Sequence, residues 1–328
     1  MLKIVVIGYG SIGKRHVKNL LTISDSEILI CTKQKIKNPS PKRIQIFDSI
    51  SSCIKEKPDI GIIANESSYH ITTAIKLANA GIDLFIEKPL SNSLKDIKKL
   101  HGIIKRKQII TQMGCQFRFH KCIQEIKKII SSNKIGRTIS VIVECGSYLP
   151  DWHPDEDFRK SYAARTELGG GVVLTNIHEI DYLYWLLGDV KEVFSVTGRF
   201  SDLKISADDL SASILKFRNN TICELHLDYF QKPDFRSCKI IGSKGTVFWN
   251  SNTNEVIFHN NQKNKLIKVL KWSKYDRNLM FKEELLHFLE CAKKRKSTIN
   301  PVEKDGIKTL KIGLALIKSS KVRKMIKV

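Results

Sequence analysis

The first 120 residues alternate between short, continuous apolar runs and amphipathic stretches of helical period. The runs lie at residues 2–7, which is largely β-branched, 27–32, 59–64 and 83–86, and residues 109–115 are predicted to form the last strand of this part. Runs of this length without polar alternation are typical of strands buried on both faces of a parallel sheet. The intervening stretches predict helices, so strand and helix in this alternation predict a doubly wound α/β domain.

The pattern changes after residue 120. A helix is predicted over 121–131, and a long polar loop over 149–171 follows a strand at 138–147. The later predicted strands, joined by short turns, lie at 192–200, 211–217, 221–227, 236–241, 246–250 and 255–259. Two helices, 276–293 and 302–320, end the chain. Strands in close succession predict an antiparallel sheet, so we predict an α/β fold of two domains, 1–120 and 121–328.

Three glycines follow the first apolar run in the spacing of a dinucleotide-binding turn. The first permits a tight turn, the second lets backbone approach a pyrophosphate, and the third lets helix and strand pack closely. The N-terminus of the following helix then faces the phosphates. The predicted cofactor-binding residues of this turn are Gly8, Tyr9, Gly10, Ser11, Ile12 and Gly13. The alternative is a glycine-rich turn without function.

The end of the second predicted strand bears on which dinucleotide binds. An acid about 20 residues past the glycines would bind the adenosine ribose, but Thr32 and Lys33 stand there, followed by Lys35. A hydroxyl and cations favour a 2′-phosphate, so NADP is preferred over NAD. The lysines are alternatively loop residues of a lysine-rich chain. Asn65 and Glu87 lie at the ends of later strands, where open α/β sheets bind ligands, and are also predicted to contact the cofactor.

The formal net charge of +23 raises nucleic acid and membranes as partners. The excess consists mostly of lysines scattered through predicted helices. Its densest cluster, residues 293–296, lies at the end of a predicted helix, where cations are favoured, and no aromatic residues interleave with it. We interpret this cluster as a solvated face and predict neither a nucleic-acid nor a membrane partner. A basic surface would equally attract phosphorylated or carboxylated metabolites.

The eight cysteines have neither a CxxC motif nor zinc-ligand spacing with histidine. Free thiols in a reducing compartment, and no metal, are therefore predicted. The N-terminus lacks the pattern of a secretory leader, and no apolar run approaches the roughly 18 residues of a membrane span. These features predict a cytoplasmic protein.

Five segments, in order, resemble the Gfo/Idh/MocA oxidoreductases. They are GYGSIGKRH at 8–16, IEKPLS at 86–91, RFH at 118–120, ELGGGVVLTNIHEIDYLYWLLG at 167–188 and IGSKGTVFWN at 241–250. Residues 147–171 resemble a bacterial subgroup from surface-polysaccharide and nonulosonic-acid biosynthesis. The resemblance implies an N-terminal NAD(P)-binding Rossmann domain. It also implies a C-terminal domain that binds a sugar on one face of its sheet and forms a homodimer or homotetramer through that sheet.

The resemblance implies that Lys88, in the EKP motif, is the catalytic lysine and also contacts cofactor and substrate. Removing a hydride from a carbinol requires its hydroxyl proton to leave too, and a lysine beside the nicotinamide can take that proton. The alternative is a surface lysine beside a turn proline.

Thr175, His178 and Asp181 follow three consecutive glycines at spacings that predict one face of a helix. The resemblance implies that His178 shares proton handling with the lysine. Thr175 stands where relatives have an aspartate; it can hydrogen-bond a substrate hydroxyl but cannot take its proton at neutral pH. We assign Asp181 a structural role.

A group of arginines and aromatic residues completes the predicted substrate site. Guanidinium groups suit a carboxylate or phosphate, and aromatic faces suit a sugar ring. The group comprises Arg118, Tyr148, Trp152, Arg159, Tyr162 and Arg165. It favours a nucleotide sugar or acidic sugar as substrate. The alternatives are an inositol or aldose dehydrogenase, which would not need the arginines, and a catalytically degenerate dinucleotide-binding scaffold, which Thr175 favours.

Overall fold

A computed structural model describes residues 1–36 and 43–328. These residues form two compact units. The first unit comprises Met1–Cys115 and Arg277–Lys308, and the second comprises Gln116–Asp276 and Thr309–Val328.

Strands and helices alternate in the first third of the chain, and strands predominate afterwards. The strands are β1 Lys3–Ile7, β2 Glu27–Cys31, β3 Ile44–Phe47, β4 Ile60–Ile63, β5 Asp83–Glu87, β6 Thr111–Gly114, β7 Thr138–Gly146, β8 Val190–Gly198, β9 Leu210–Phe217, β10 Ile222–Asp228, β11 Phe235–Gly242, β12 Gly245–Asn250, β13 Glu255–Asn260, β14 Lys265–Lys271 and β15 Ile326–Lys327. The α-helices are α1 Ser11–Ile23, α2 Ile50–Lys55, α3 His70–Asn79, α4 Ile97–Lys107, α5 Lys121–Ser131, α6 Val172–Thr175, α7 Ile177–Leu187, α8 Arg277–Lys294 and α9 Ile307–Val322.

The first unit is a doubly wound sheet, as predicted. Its six strands are parallel and run in the order β3-β2-β1-β4-β5-β6. Strands β1, β2, β4 and β5 are buried along nearly their whole length because helices cover both faces. Strand β3 was not predicted, since its central residues are exposed and it lacks an apolar run.

Helix α8 belongs to this first unit, although the sequence analysis assigned its residues to the second domain. Leu285, Phe288 and Leu289 of α8 pack in one core cluster with Ile4 and Phe85 of the parallel sheet. Burial of this apolar face joins distant segments of the chain, which a linear pattern does not reveal. As a division between cofactor-binding and substrate-binding domains, the boundary at residue 120 remains a prediction.

The second unit contains a nine-stranded sheet in the order β14-β13-β12-β11-β7-β10-β9-β8-β15. All its neighbouring strands are antiparallel except β7 and β10, which are parallel. The prediction of a mainly antiparallel open sheet is therefore confirmed. Strand β14 was not predicted because its residues are mostly exposed on both faces and do not alternate.

In the described ranges, no helix combines the length and apolar character needed to cross a lipid bilayer. All eight cysteines lie within those ranges, and each is buried as a free thiol.

Candidate functional site

The glycine-rich turn joins β1 to α1 with very close backbone packing. Gly8 has φ +95°, and a Cβ there would lie 2.7 Å from the backbone nitrogen of Asn65. A Cβ at Gly13 would lie 2.2 Å from the carbonyl oxygen of Gly8. By contrast, a Cβ at Gly10 would meet no atom within 4 Å. Two glycines therefore close the turn, while Gly10 borders open space.

The residues of this turn fit a dinucleotide phosphate. Helix α1 begins after Gly10 without a side-chain cap and without an acid in its first turn. Its first N–H groups thus have no side-chain acceptor within the turn, and Gly10 and Ser11 are exposed. An uncapped helix N-terminus beside an exposed glycine favours a phosphate ligand. Tyr9 and Ile12 are half-buried and flank the turn.

The predicted ribose edge contains an acid that the sequence analysis missed. Strand β3 pairs in parallel with β2, and the backbone N–H of Thr32 donates to the carbonyl of Phe47 at 2.9 Å. Asp48 therefore follows β3 next to Thr32, beside the exposed Lys33. The sequence analysis missed Asp48 because it did not predict β3, and only the pairing of β3 with β2 brings residue 48 to this edge. Residues 37–42 lie outside the described ranges.

Lys88 follows β5 directly and precedes Pro89, to which it is joined by a cis peptide bond. Glu87, the last residue of β5, is 5% exposed. Its Oε1 lies 2.6 Å from Nε2 of His16 on α1, and its Oε2 accepts the backbone N–H of Lys88 at 3.2 Å. The Glu87 carboxylate was predicted to contact a cofactor. In the structure it contacts His16 and the backbone N–H of Lys88.

His70 connects the loop after β4 with the segment after Lys88. Its Nδ1 lies 2.8 Å from the Pro89 carbonyl oxygen, and its Nε2 lies 2.9 Å from that of Asn65. Burial lowers the pKa of His70 below its usual value, so the ring carries one N–H at neutral pH and donates to one of the two carbonyls. The Asn65 amide donates to Thr73 at 3.2 Å.

In the second unit, the helix predicted to carry Thr175 and His178 is interrupted. Thr175 ends α6, Asn176 has φ −94° and ψ 33°, and α7 begins at Ile177. Thr175 and His178 are 2% and 5% exposed. The His178 ring lies 5.5 Å from the ring centre of Phe117. The prediction that Thr175 and His178 lie on one face of a single helix is therefore wrong. The non-helical backbone of Asn176 turns the chain between them.

Arg118 is fully buried and paired with Asp181. Its Nε and Nη2 each donate to one carboxylate oxygen of Asp181 at 2.9 Å. A two-point pair of this kind neutralises both groups in the interior. These contacts agree with a structural role for Asp181, which stays a prediction, and they argue against the prediction that Arg118 binds a substrate anion.

The exposed arginines of the predicted substrate group also have acidic partners. Arg159 donates to Asp157 at 2.7 Å, and Arg165 donates to Glu167 at 2.6 Å. Both pairs involve residues two positions apart in exposed loops. Local neutralisation of this kind weakens the argument that these guanidinium groups await a substrate anion.

The aromatic members of the group pack against the end of β10. Trp152 donates from its indole nitrogen to Ser147 at 2.9 Å and lies edge-on to the buried Tyr229 at 5.5 Å. Lys232 lies over the Tyr148 ring at 4.1 Å. Trp152 and Tyr148 therefore each have a partner from the segment after β10, Tyr229 and Lys232 respectively.

Tyr162 lies against the glycines that precede α6. A Cβ at Gly170 would lie 2.1 Å from the Tyr162 carbonyl oxygen. Gly170 therefore allows close packing of the loop that contains Tyr162.

An ion pair between a buried acid and a half-buried arginine in the second unit was not predicted. Arg236 of β11 lies 2.8 Å from Glu179 of α7 and donates to the sulfur of Cys145 at 3.1 Å. Its guanidinium also covers the Phe117 ring at 4.3 Å. The sequence feature that could have indicated this pair is Glu179, an acid in a largely apolar helix, because a buried acid requires a partner. Within residues 1–36 and 43–328, no cluster of three or more potential metal-ligating side chains occurs.

Two sequence models of one family match the chain. The model described as an oxidoreductase family NAD-binding Rossmann fold matches residues 2–115, and the model of the GFO/IDH/MocA C-terminal domain matches residues 123–248. Together they span both the doubly wound sheet and most of the nine-stranded sheet.

Individual relatives agree with this assignment. The scyllo-inositol 2-dehydrogenase (NAD(+)) of Bacillus subtilis is 25% identical over 97% of this chain and 94% of its own. A levoglucosan dehydrogenase in complex with NADH has a TM-score of 0.87 at 18% identity, over 100% of this chain and 99% of its own. The WlbA dehydrogenase from Bordetella pertussis in complex with NADH and UDP-GlcNAcA has a TM-score of 0.81 at 20% identity, over 100% and 97%. These likenesses between structures concern the fold. The chain, with its glycine turn, its EKP segment and both matching domains, belongs to the Gfo/Idh/MocA family of NAD-dependent oxidoreductases.

Proposed function

We propose that this protein is an NAD-dependent dehydrogenase that oxidises a secondary alcohol of a neutral cyclic polyol or sugar. Lys88 is the acid–base residue, and His178 assists it. Bound NAD+ would supply the hydride acceptor, held at its phosphates by the glycine turn and the α1 N-terminus. In this role Lys88 takes the hydroxyl proton at Nζ while the carbinol becomes a carbonyl.

The observation that carries the substrate class is the pairing of the arginines. Arg118 is committed to Asp181, and Arg159 and Arg165 each have an adjacent carboxylate. A substrate with an anionic group would have to displace these partners. A neutral polyol needs only hydroxyl and aromatic contacts, which Tyr148, Trp152, Tyr162 and Thr175 can supply. The inositol dehydrogenase relative supports the same class.

A second candidate is the oxidation of a nucleotide sugar or acidic sugar of a surface glycan. The likeness of residues 147–171 to that subgroup favours it, and the fold shared with the WlbA dehydrogenase is compatible with it. Under this alternative, the exposed Arg159 or Arg165 would exchange its carboxylate partner for the substrate.

For the cofactor, we propose NAD(H) over NADP(H). The sequence alone favours NADP because of Lys33 and Lys35. Asp48 stands beside Thr32, and its carboxylate would accept hydrogen bonds from ribose hydroxyls and repel a 2′-phosphate.

The test is a turnover assay with a panel of inositols, aldoses and UDP-linked acidic sugars. Each is incubated with NAD+ or NADP+, and formation of the reduced cofactor is measured as absorbance at 340 nm. Oxidation of a neutral polyol with NAD+ supports the proposal, and turnover confined to UDP-linked sugars supports the second candidate. Single-turnover experiments without any absorbance change, although NADH binds, would support a catalytically degenerate scaffold.

Lys88→Ala identifies the acid–base residue. The variant should lose turnover by a factor on the order of 10² or more, while NADH binding measured by fluorescence titration stays near that of the wild type. Unimpaired turnover would remove Lys88 from the mechanism. His178→Ala should lower turnover less, since it assists.

We also propose a homodimer or homotetramer formed through the nine-stranded sheet. One face of this sheet carries exposed apolar side chains on neighbouring strands, and Phe194 of β8 stands directly opposite Ile214 of β9. Contiguous exposed apolar residues on a sheet are typical of an interaction surface. The eight free thiols support a reducing compartment, so we propose a cytoplasmic location.

A further inference from the structure

We propose that His16 and His70 are positioning residues for Lys88, one acting on each side of it. His16 acts through the carboxylate of Glu87, and His70 acts through the carbonyl of Pro89. We call Glu87, Lys88 and Pro89 the lysine turn. The inference rests on the proposed acid–base role of Lys88 and concerns residues of the first unit only.

On the N-terminal side, the Glu87 carboxylate joins a helix to the lysine backbone. One oxygen lies 2.6 Å from Nε2 of His16, and the other accepts the Lys88 N–H at 3.2 Å. An ionised carboxylate only accepts hydrogen bonds, so His16 donates from Nε2. The side chains of His16 and Glu87 are 0% and 6% exposed, so water does not replace this donor.

The structure leaves the Glu87 carboxylate little room to move. A Cβ at Gly114 of the neighbouring strand β6 would lie 3.0 Å from the carboxylate, closer than ordinary packing. Gly114 therefore makes space for the acid at the sheet edge. With the backbone of β6 on one side and His16 on the other, the carboxylate fixes the direction of the Lys88 N–H.

On the C-terminal side, His70 lies between two carbonyl oxygens. These are the oxygen of Pro89 at 2.8 Å and that of Asn65 at 2.9 Å. The ring is 1% exposed. It donates to one oxygen as neutral imidazole and to both when protonated, and in either case it fills the space between the two chain segments.

These contacts tie the lysine turn to the glycine turn. His16 belongs to α1, the helix whose N-terminus follows Gly10. Asn65, which contacts His70, packs so closely on Gly8 that a Cβ there would clash with its backbone. The same two elements that we propose to hold a dinucleotide phosphate therefore also hold both sides of Lys88. Displacement of a catalytic group by about 1 Å can cost on the order of 10² in rate.

The first test compares variants of His16 with a matched control on the same helix. His16→Leu removes the donor to Glu87, whereas His16→Gln keeps an N–H that can reach it. Asn19→Leu removes a different buried polar contact of α1, to Asn278. We expect His16→Leu to lower kcat by about 10- to 100-fold with the NADH Kd within about twofold of wild type. His16→Gln should restore most of kcat, and Asn19→Leu should leave kcat nearly unchanged.

Two kinetic results would overturn the proposal for His16. One is an unchanged kcat in His16→Leu. The other is a loss of kcat and NADH affinity in equal measure in both His16→Leu and Asn19→Leu, since that pattern indicates general destabilisation of α1. For His70, His70→Leu should lower kcat by a similar factor, and retention of full kcat would exclude it as a positioning residue.

The second test is independent of turnover. Hydrogen exchange of the Lys88 backbone amide, resolved to single residues by NMR, should accelerate at least about tenfold in His16→Leu while the amide of Val5 in β1 exchanges as before. Unaltered exchange at Lys88 would contradict the proposal even in an active enzyme. If no sugar is oxidised by the wild type but exchange accelerates as expected, the proposed function fails while the positioning contact stands.

Discussion

At the scale of single residues, the two glycines of the turn should respond differently to the same substitution. A Cβ at Gly13 would lie 2.2 Å from the carbonyl oxygen of Gly8, whereas a Cβ at Gly10 meets no protein atom within 4 Å. We expect Gly13→Ala to lower both the melting temperature and NADH affinity. Gly10→Ala should keep the wild-type melting temperature but weaken NADH binding by about tenfold or more, because the methyl group occupies the space into which a phosphate fits.

Fluorescence titration with NADH and thermal unfolding measured by circular dichroism distinguish these outcomes. Unchanged NADH affinity in Gly10→Ala would mean that the dinucleotide does not approach this glycine. A Gly13→Ala variant as stable as the wild type would contradict the packing argument.

His120 should make the protein sensitive to acid. It caps α5 by accepting the Cys122 N–H on Nδ1 at 3.2 Å, stacks on Phe117 and lies near Trp249 and Trp272. Burial, aided by the positive charge of Arg236, lowers the pKa of His120 to about 3. The unfolded chain, with a pKa near 6.5, therefore binds a proton that the folded chain does not. The free energy of unfolding should fall as the pH falls from about 6 to about 4.

The matched variant is His120→Asn, which keeps a cap acceptor but does not titrate. Relative to this variant, the wild type should lose about 1.4 kcal/mol per pH unit across that window in urea unfolding. If the free energies of unfolding of the two proteins depended on pH in the same way, His120 would be protonated equally in the folded and the unfolded chain.

At the scale of elements, the pairing of β3 with β2 forms the edge that we propose binds the cofactor ribose. Asp48 reaches Thr32 only because β3 is parallel and in register with β2. We expect Asp48→Asn to shift the ratio of kcat/KM for NAD to that for NADP by about tenfold towards NADP, since the substitution removes a charge that repels a 2′-phosphate. Asp25→Asn, in the exposed segment before β2, serves as the charge-matched control. A ratio that responds equally to both substitutions would refute the role of Asp48.

Helix α8 illustrates how an element completes a unit from far along the chain. Phe288 is fully buried and lies 5.7 Å, edge-on, from Phe85 of β5, whose ring in turn lies 5.2 Å from that of His16. A segment that follows β14 thus supports β5, the strand that ends directly before Lys88. The family models end at residues 115 and 248 and do not include this helix.

At the scale of the whole molecule, the exposed face of the nine-stranded sheet bears on assembly. The apolar side chains Phe194, Val196, Ile214 and Ile222 are each at least 37% exposed. We expect the wild type to sediment as a dimer or tetramer and Phe194→Lys with Ile214→Lys to sediment as a smaller species, because charges within an apolar interface are costly to desolvate. Leu286→Lys on α8, an exposed leucine of the first unit, is the control. A double variant that sediments like the wild type would place the contact elsewhere.

The positive charge is also a property of the whole molecule. Most of the excess lysines are exposed and distributed along the chain. The densest cluster, 293–296, spans the C-terminal end of α8, as the sequence analysis predicted. Lys294 pairs with Glu290 one turn earlier. This arrangement agrees with a solvated helix end.

Several features of this protein follow from the sequence by itself. Strands β1, β2, β4 and β5 of the parallel sheet consist mainly of apolar residues, and the glycine spacing requires a tight turn before a helix. Both are local properties that pattern and steric limits specify. The five segments also indicate the oxidoreductase family, which the two family models over residues 2–115 and 123–248 confirm.

Other features depend on the tertiary structure, because they arise between residues distant in the chain. His16, Glu87 and His70 come from three elements, and only the packing of α1 and α3 around β5 brings them to Lys88. From the sequence, Arg118 was predicted to bind an anion, but the folded chain pairs it with Asp181. Asp48 lies at the proposed ribose edge because β3 pairs with β2, and β3 has no apolar run by which it could be predicted. Burial and charge pairing depend on distance in space, and a linear pattern carries no information about that distance until the chain has folded.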